Sequence, residues 1–203
     1  MRKRHRVMLA VIGGLAAGIT QSQAQTPPRA SIRGTVASVA GNVVQVTTRQ
    51  GVVAVDLSAA TKFGDVTYAK MTDIKPGSFV GSAAVPQPDG TLKALEVHVF
   101  APDLRGTGEG SRAWQGDGRT GTMTNGTVGD LVVTNGRTMT VTYHGGQKKI
   151  VVPPDVPIVF VDAGSAADLK PGEHIHAVGQ KGADGVLSAL RVLIGRDGVV
   201  PPM

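Results

Sequence analysis

Three short words occur twice in this chain of 203 residues, in the same order and at nearly constant spacing. The copies are 92 residues apart for the first word and 95 apart for the other two. A fixed offset of this kind is the usual mark of a duplicated structural unit. The words are Gly34-Thr35-Val36 and Gly126-Thr127-Val128, Asp73-Ile74-Lys75-Pro76-Gly77 and Asp168-Leu169-Lys170-Pro171-Gly172, and Asp89-Gly90-Thr91-Leu92-Lys93-Ala94-Leu95 and Asp184-Gly185-Val186-Leu187-Ser188-Ala189-Leu190. We therefore predict two copies of one unit, with the three-residue difference in the first hairpin.

Within each copy the apolar residues alternate with a period of two, which indicates half-buried β-strands rather than helices. In the first copy this pattern predicts one hairpin over residues 44–57 and a second over residues 79–100. The Asp-Ile/Leu-Lys-Pro-Gly word between the hairpins predicts one short helical turn. The second copy is predicted to follow the same plan, with strands at residues 138–143, 148–152, 173–179 and 187–194.

Five short strands with a helical turn between the third and fourth suit a small, partly open barrel of the OB type, because barrel closure removes exposed sheet edges. The predicted fold is all-β, with two tandem five-stranded OB-like barrels. We expect the barrels to pack together, because a lone barrel of about 70 residues without disulfides is marginally stable. The predicted boundaries are a signal peptide at 1–24, a first barrel at 32–100, a glycine-rich linker at 101–122, a second barrel at 123–194 and a C-terminal tail at 195–203.

The amino terminus has the three parts of a secretory signal: basic residues, an apolar run from Val7 to Ile19, and small or polar residues ending at Ala24. As a helix this run would span about 20 Å, which is short of the roughly 30 Å hydrocarbon core of a bilayer. Removal of residues 1–24 takes away four of the 21 basic residues and none of the 15 acidic ones, which lowers the net charge to +2. We therefore expect a periplasmic or secreted protein that does not span the membrane once mature.

The composition excludes several kinds of chemistry. The chain has no cysteine, which excludes disulfides, thiolate metal sites, iron–sulfur clusters and a cysteine nucleophile. Its few aromatic residues and the nearly balanced charge of each copy provide neither the basic groove nor the stacking platforms that nucleic-acid binding requires. We expect no nucleic-acid partner.

The repeated words resemble bacterial domain-of-unknown-function family 5666, whose exported members have Gly-Thr-Val, Leu-Lys-Pro-Gly and Asp-Gly-x-Leu-x-Ala signatures. The resemblance covers both copies, and it extends to residues 105–110 and to the ending at 195–203. It implies small β-barrel units and an envelope location, and it brings no catalytic residues. Relatives in this family sometimes bear the label metal ABC transporter permease, which conflicts with the expected lack of a membrane span in the mature chain.

The leading functional hypothesis is a non-enzymatic periplasmic binding or structural module that needs no cofactor. Its expected partner is an envelope protein, a glycan or a small ligand, bound through a barrel face or through the connecting segment. Within that segment, Arg105, Arg112 and Trp114 are candidate partner-binding residues. The alternative is a spacer whose tryptophan covers the mouth of a barrel.

A second hypothesis is binding or handling of a divalent transition metal. His174 and His176 are two residues apart on a predicted strand, so they project to the same face. His144 could supply a third nitrogen and Glu173 or Asp184 an oxygen, a ligand set that suits zinc, copper or nickel. The histidines do not repeat between the copies, and the alternative is that they face solvent.

A third hypothesis is hydrolysis of an envelope polymer at the open end of a barrel. Such an enzyme usually needs a pair of carboxylates across the bond that is cleaved. The aspartates of this chain are scattered near turns, where they commonly bond to their own backbone. The sequence gives this hypothesis no specific support.

Overall fold

The computed structural model describes residues 29–116, 118–132 and 137–202, so the predicted signal peptide lies outside the described residues. The protein is all-β, as predicted. Within the described residues no helix is long and apolar enough to cross a bilayer. The described strands are β1 Arg29–Ala40, β2 Val43–Thr48, β3 Gly51–Asp56, β4 Lys62–Tyr68, β5 Phe79–Pro86, β6 Leu92–Ala94, β7 Val97–Phe100, β8 Gly110–Gly116, β9 Arg119–Val132, β10 Thr138–Tyr143, β11 Gly146–Val151, β12 Ile158–Ala163, β13 His174–Lys181 and β14 Leu187–Gly195.

The strand pairings close two rings within one mixed sheet. Ring A consists of β1, β2, β3, β14 and β13, and it closes because β13 pairs with both β1 and β14. Ring B consists of β9, β10, β11, β6 and β5, and the β5–β9 pairing closes it. β4 and β12 pair with each other between the rings, and they also pair with β14 and β7 respectively. Each ring therefore takes strands from both halves of the chain.

The prediction of two tandem five-stranded barrels, at 32–100 and 123–194, is wrong. The strands of the two halves are exchanged within a single fourteen-stranded sheet. The physical reason lies in β4 and β12, which the sequence analysis did not predict. Each is an extended strand of six or seven residues, and such a strand carries the chain about 20 Å away from the strands that precede it. A turn in its place would have returned the chain to its own half.

The pairings of the two halves correspond to each other at the spacing of the repeated words. The β1–β13 pairing of ring A has its counterpart in β9–β5 of ring B. The β3–β14 pairing corresponds in the same way to β11–β6. Between the rings, Val66 pairs with Val161, the residue 95 positions later. The two halves therefore surround an approximate two-fold axis near these two valines.

The repeated Gly-Thr-Val word permits a close approach of neighbouring strands. In ring A, a Cβ atom on Gly34 would overlap the carbonyl oxygen of Thr47. In ring B, a Cβ atom on Gly126 would overlap the carbonyl oxygen of Thr142. Only glycine fits where another backbone lies this close. The word thus encodes the contact of the first strand of each copy with the second.

In both copies a short turn of 3-10 helix lies between the hairpins, but it ends at the first residue of the Asp-Ile/Leu-Lys-Pro-Gly word that was predicted to form it. In the first copy the turn is Met71–Asp73, and Asp73 Oδ2 accepts a hydrogen bond of 2.7 Å from the backbone N–H of Lys70. Gly77 then reverses the chain with φ of +85°, which favours glycine. The second copy has the 3-10 turn Ala166–Asp168, the same bond from Ser165 to Asp168 and Gly172 at φ of +95°.

Both rings are filled by apolar side chains that come from both halves of the chain. Burying such a side chain stabilises the fold by about 1.5–3 kcal/mol. Neither half therefore retains a complete core without the other. The largest fully buried side chains include Leu187 and Ile194 in ring A and Met139 and Ile150 in ring B.

Over its described residues, 101–116 and 118–122, the segment predicted as a glycine-rich linker is structured. It contains the 3-10 turn Pro102–Leu104, strand β8 and the start of β9. β8 and β9 form a hairpin with an unbroken register of seven residue pairs. The side chains of β8 alternate between the two faces of the hairpin, and β9 contains several threonines, which favour strands. For these reasons the segment forms a hairpin and is not a spacer. Within the described residues, no such hairpin precedes β1 in the first copy.

The predicted C-terminal tail, residues 195–203, packs against the sheet over its described part. Val199 is buried in a third apolar cluster, which lies between the rings and includes Val66 and Phe100. Arg196 bridges Asp65 of β4 and Asp168 of the second 3-10 turn. The end of the chain thus fastens the strands that join the two rings.

Candidate functional site

A cleft of about 180 Å³ opens between ring A and the β8–β9 hairpin. We call it the arginine cleft. Its described lining includes a tryptophan, two arginines and a glutamate from four separate parts of the chain. Its lining residues are Arg33 of β1, Leu95 and Glu96 between β6 and β7, Trp114 of β8, Arg119 of β9, Pro157 and Pro202.

The β8–β9 hairpin positions the tryptophan of the cleft. Gly118, at φ of +72°, lies in the turn between the two strands, where glycine is favoured. Trp114 is half-buried, and it shares one face of β8 with Arg112, because side chains two apart on a strand point the same way. On the other face, Ser111 Oγ lies 3.0 Å from Thr124 Oγ1 of β9. One face of β8 thus holds the strands of the hairpin together, and the other is turned to the arginine cleft.

A buried carboxylate lines the cleft. Glu96 is 2% exposed, and its Oε1 lies 3.5 Å from Nε2 of His98, which is 6% exposed. Val97 and Val99 alternate with these two residues and fill the core of ring B. Glu96 and His98 therefore point out of ring B. They are buried by the parts of the protein that pack against the outside of this ring. The sequence analysis assigned neither residue a function.

Several positive groups act on this region. Burial, and after it the charge of Arg191, lower the pKa of His98 to about 4. The imidazole is therefore neutral at pH 7, and its contact with Glu96 is not an ion pair. Desolvation, and after it the charge of Arg112, lower the pKa of Arg191, although this side chain reaches solvent. Arg112 thus adds positive charge beside the cleft.

The structure does not assemble the predicted metal ligands. His174 is half-buried with its Nδ1 3.1 Å from Thr35 Oγ1, and His176, on the same face of β13, is 7% exposed. His144 is exposed at the β10–β11 turn, where its backbone N–H donates a bond of 3.0 Å to Glu109 Oε1. Within the described part of the chain, no three His, Asp or Glu side chains are placed to share a metal ion.

Arg105, one of the three predicted partner-binding residues, has an internal role. Its Nη1 donates a hydrogen bond of 3.1 Å to Thr127 Oγ1, and its Nη2 donates one to the carbonyl oxygen of Gly77. The guanidinium carbon also lies 5.8 Å from the ring centroid of Phe79. These contacts fasten the turn before β8 onto ring B.

The other two predicted partner-binding residues lie in β8. Trp114 lines the cleft, and exposed Arg112 stands two residues before it, with Nη1 donating a bond of 2.9 Å to the carbonyl oxygen of Gly108. The sequence analysis missed the cleft residues Arg33, Glu96 and Arg119. A usable signal existed for Glu96, which interrupts a nearly continuous apolar run from residue 94 to residue 101. No local signal marks the two arginines.

No protein-family model, curated protein or solved structure matches this chain. The resemblance to family 5666 therefore stays a prediction that rests on the repeated words.

Proposed function

We propose that this protein is an exported, non-enzymatic module that binds an extended segment of another envelope protein along β8. The observation that carries the proposal is the place of β8 in the sheet. β8 pairs with β9 along one edge, and among the described residues no strand pairs with its other edge. An open edge presents N–H and C=O groups with which an added strand can pair.

β8 lacks most of the features that commonly protect an open edge, although it carries one exposed charged side chain, Arg112. Native proteins block such edges with proline, lysine, a bulge or a very short strand. β8 is seven residues long and contains neither proline nor lysine. Its register with β9 has no bulge. An edge of this length and regularity supports a function in which a strand from a partner is added.

The chemistry beside β8 favours binding over hydrolysis of an envelope polymer. Among the described residues, the lining of the arginine cleft includes one acidic residue, Glu96, next to a neutral His98. Hydrolysis of a glycosidic bond by the common mechanism needs two carboxylates that flank the bond. Turnover of an envelope polymer that a single substitution of Glu96 abolishes would contradict this part of the proposal.

Trp114 provides the experimental reporter, because it is the one tryptophan of the chain and lies in β8. The probe is a tryptophan-free peptide of about seven residues that alternates threonine and valine, a length that matches the exposed edge. Its central residue is glutamate, glutamine or lysine in three versions. We expect at least one version to change the fluorescence of Trp114 in a saturable way.

Backbone methylation of the peptide distinguishes strand addition from other binding. The tightest version is made twice more, with N-methyl groups on one or the other alternate set of amides. A strand pairs through the amides of one edge only, so we expect one methylated peptide to bind and the other to fail. Failure of all three unmethylated peptides, or equal binding of both methylated forms, would overturn the proposal.

Light scattering on the same samples identifies the occupant of the edge. We expect a monomer that binds one peptide. A dimer that the peptide does not dissociate would mean that a second copy occupies β8, and the proposal would then fall. Export is tested separately by the mass of the protein in the periplasmic fraction, which should correspond to cleavage after Ala24.

A further inference from the structure

We infer that the end of ring A at the β1–β2 turn is a binding site for a small, uncharged and mainly apolar ligand. A cavity of about 530 Å³ opens there, within the roughly 300–1,000 Å³ that is usual for small-molecule sites. We call it the ring A pocket. Its described lining includes Asn42, Leu57, Ser58, Ala59, Phe63 and Ala166. None of these residues belongs to β8 or lines the arginine cleft, so the pocket is separate from the proposed site of strand addition.

The chemistry of the lining indicates the class of ligand. Leu57 is 8% exposed and belongs to the core of ring A, and Phe63 packs against that core. The polar groups are neutral: Asn42 Nδ2 donates a bond of 3.3 Å to the carbonyl oxygen of Leu57, and Ser58 Oγ accepts one of 3.2 Å from the backbone N–H of Ala60. No described lining residue is charged. Since burial of a charge without a partner is unfavourable, the pocket suits an uncharged molecule.

Ring B is closed at the equivalent end, and a methionine closes it. Met71 begins the 3-10 turn of the first copy, is 7% exposed and belongs to the core of ring B. Ala166 begins the 3-10 turn of the second copy, 95 residues later, and is exposed beside the ring A pocket. The shorter side chain of alanine leaves open in ring A the space that methionine fills in ring B.

The first strand of each ring shows the same difference. Val39 of β1 pairs with Val44, and Leu131 of β9 pairs with Met139, which is the equivalent residue of the second copy. Leu131 packs against the core of ring B, whereas Val39, two residues before the lining residue Gly41, is 37% exposed. Exposed apolar surface with a polar rim is typical of ligand-binding grooves. The open end of ring A is therefore a difference between two otherwise equivalent rings.

The closing experiment uses two aromatic dyes that differ by one charge. N-phenyl-1-naphthylamine is uncharged, and its fluorescence rises when it moves from water to apolar surroundings. We expect a saturable rise with one dye molecule per chain, and absence of such a rise would overturn the inference. The second dye, 8-anilinonaphthalene-1-sulfonate, has the same rings and one sulfonate. It should bind about tenfold more weakly or worse, because the described lining has no charged partner for it. Equal or tighter binding of the sulfonate would contradict an uncharged ligand.

Two protein variants assign the dye to the pocket. Ala166→Met installs the residue of ring B, and we expect it to raise the dissociation constant of the uncharged dye about tenfold or more, because the longer side chain occupies the space. Ala167→Met is the matched control. It adds the same side chain at the next position of the same 3-10 turn, which is exposed and outside the described lining. This variant should bind the dye as the unmodified protein does.

The remaining outcomes also decide the inference. If neither variant weakens binding, the dye occupies another place, and the ring A pocket is refuted. An equal loss in both variants would mean that any change to the 3-10 turn abolishes binding, which would refute it as well. Circular dichroism melting accompanies each titration. If Ala166→Met does not fold, Ala59→Met takes its place with the same expected result. A protein that binds a peptide along β8 but not the dye would keep the proposed function and lose this inference.

Discussion

Ring A and ring B have the same strand pairings, but the side chains that surround them differ. Glu96 beside ring B occupies the position that Arg191 has beside ring A, 95 residues later. His98 in the same way corresponds to Leu193. The turn and glycine words are retained in both halves, whereas these outward-facing residues are not. The comparison indicates that the repeated words determine how the strands pair. The residues that differ between the two halves determine the candidate functional site.

The β8–β9 hairpin extends ring B. The described residues begin at β1, the strand of ring A that corresponds to β9, so they include no counterpart of β8. The hairpin supplies both the open edge and Trp114. The arginine cleft therefore lies on one side of the approximate two-fold axis. Substitutions at equivalent positions of both rings test the shared strand pairing. Substitutions at positions that differ between the rings test the features that only one ring has.

The largest effect is expected from cutting the chain between its halves. A protease site inserted at Gly106, in the turn before β8, allows cleavage of the folded protein. Because each ring contains strands from both halves, the two fragments should stay together in gel filtration and separate only in denaturant. The uncut protein under the same conditions is the control. Two folded fragments that separate without denaturant would show that the strands are not exchanged.

The next effect concerns equivalent core leucines. Leu187 in ring A and Leu92 in ring B are the same residue of the repeated word, and both are buried. Each substitution by alanine should lower the free energy of unfolding by about 2–5 kcal/mol. Because the cores share both halves of the chain, calorimetry should show one transition in each variant.

Leu190→Ala is the control for the two core variants, since Leu190 is 46% exposed on β14. This change should leave the transition almost where it is in the unmodified protein. Two well-separated transitions in either core variant would mean that the rings unfold independently. The equivalence of the rings would then be limited to their backbone pairing.

A third effect distinguishes the rings by pH. Folding lowers the pKa of His98 from the ordinary value of 6.5 to about 4. Below pH 6.5 the unfolded chain therefore binds a proton that the folded protein excludes, and stability falls as the pH decreases. The loss should reach about 3 kcal/mol at pH 4. His98→Leu installs the residue of the second half and should flatten this dependence in urea unfolding between pH 7 and pH 4.

His144→Gln is the control for the pH series, because His144 is exposed at a hairpin turn. This variant should keep the pH dependence of the unmodified protein. If His98→Leu and the unmodified protein lose stability in parallel, the buried imidazole is not the source of the acid sensitivity.

The smallest effect concerns the ion pairs of the C-terminal segment. Arg196 Nε lies 2.8 Å from Asp65 Oδ2, and its Nη2 lies 2.6 Å from Asp168 Oδ1. Its counterpart in the first half is Ala101, so the ion pairs are absent there. Arg196→Ala should lower the melting temperature by about 2–4 °C, because partly exposed ion pairs contribute little. The difference should shrink in high salt, and a difference that grows with salt would contradict an electrostatic origin.

Local structure could be predicted from the sequence because it depends on nearby residues. The alternation over 44–57 leaves only one face apolar, which is sufficient to define β2, β3 and their turn. Asp73, the first residue of its word, fixes the 3-10 turn by accepting a bond from the backbone N–H of Lys70, three residues earlier. The hairpin strands were predicted in both copies, whereas the 3-10 turns lie before the words that were predicted to form them.

The choice of partner strands could not be predicted, and the repeat itself is the reason. β3 pairs in parallel with β14 through Val55 and Leu187. The same word places Leu92 in β6, which belongs to the same half as β3. The two candidate strands present the same apolar pattern, so periodicity cannot select between them. The arginine cleft depends on this choice, because Arg33 comes from ring A and Arg119 from the hairpin of ring B.

The exchange of strands also has a consequence for the order of events during synthesis. β3 ends at Asp56, whereas β14, which closes the same ring, ends 139 residues later at Gly195. At roughly 5–20 residues per second, a ribosome needs about 7–28 s to make that stretch. Throughout this interval β1, β2 and β3 can pair with one another, but ring A cannot close. The ring that contains the first strands to be made is therefore among the last parts of the molecule that can be completed.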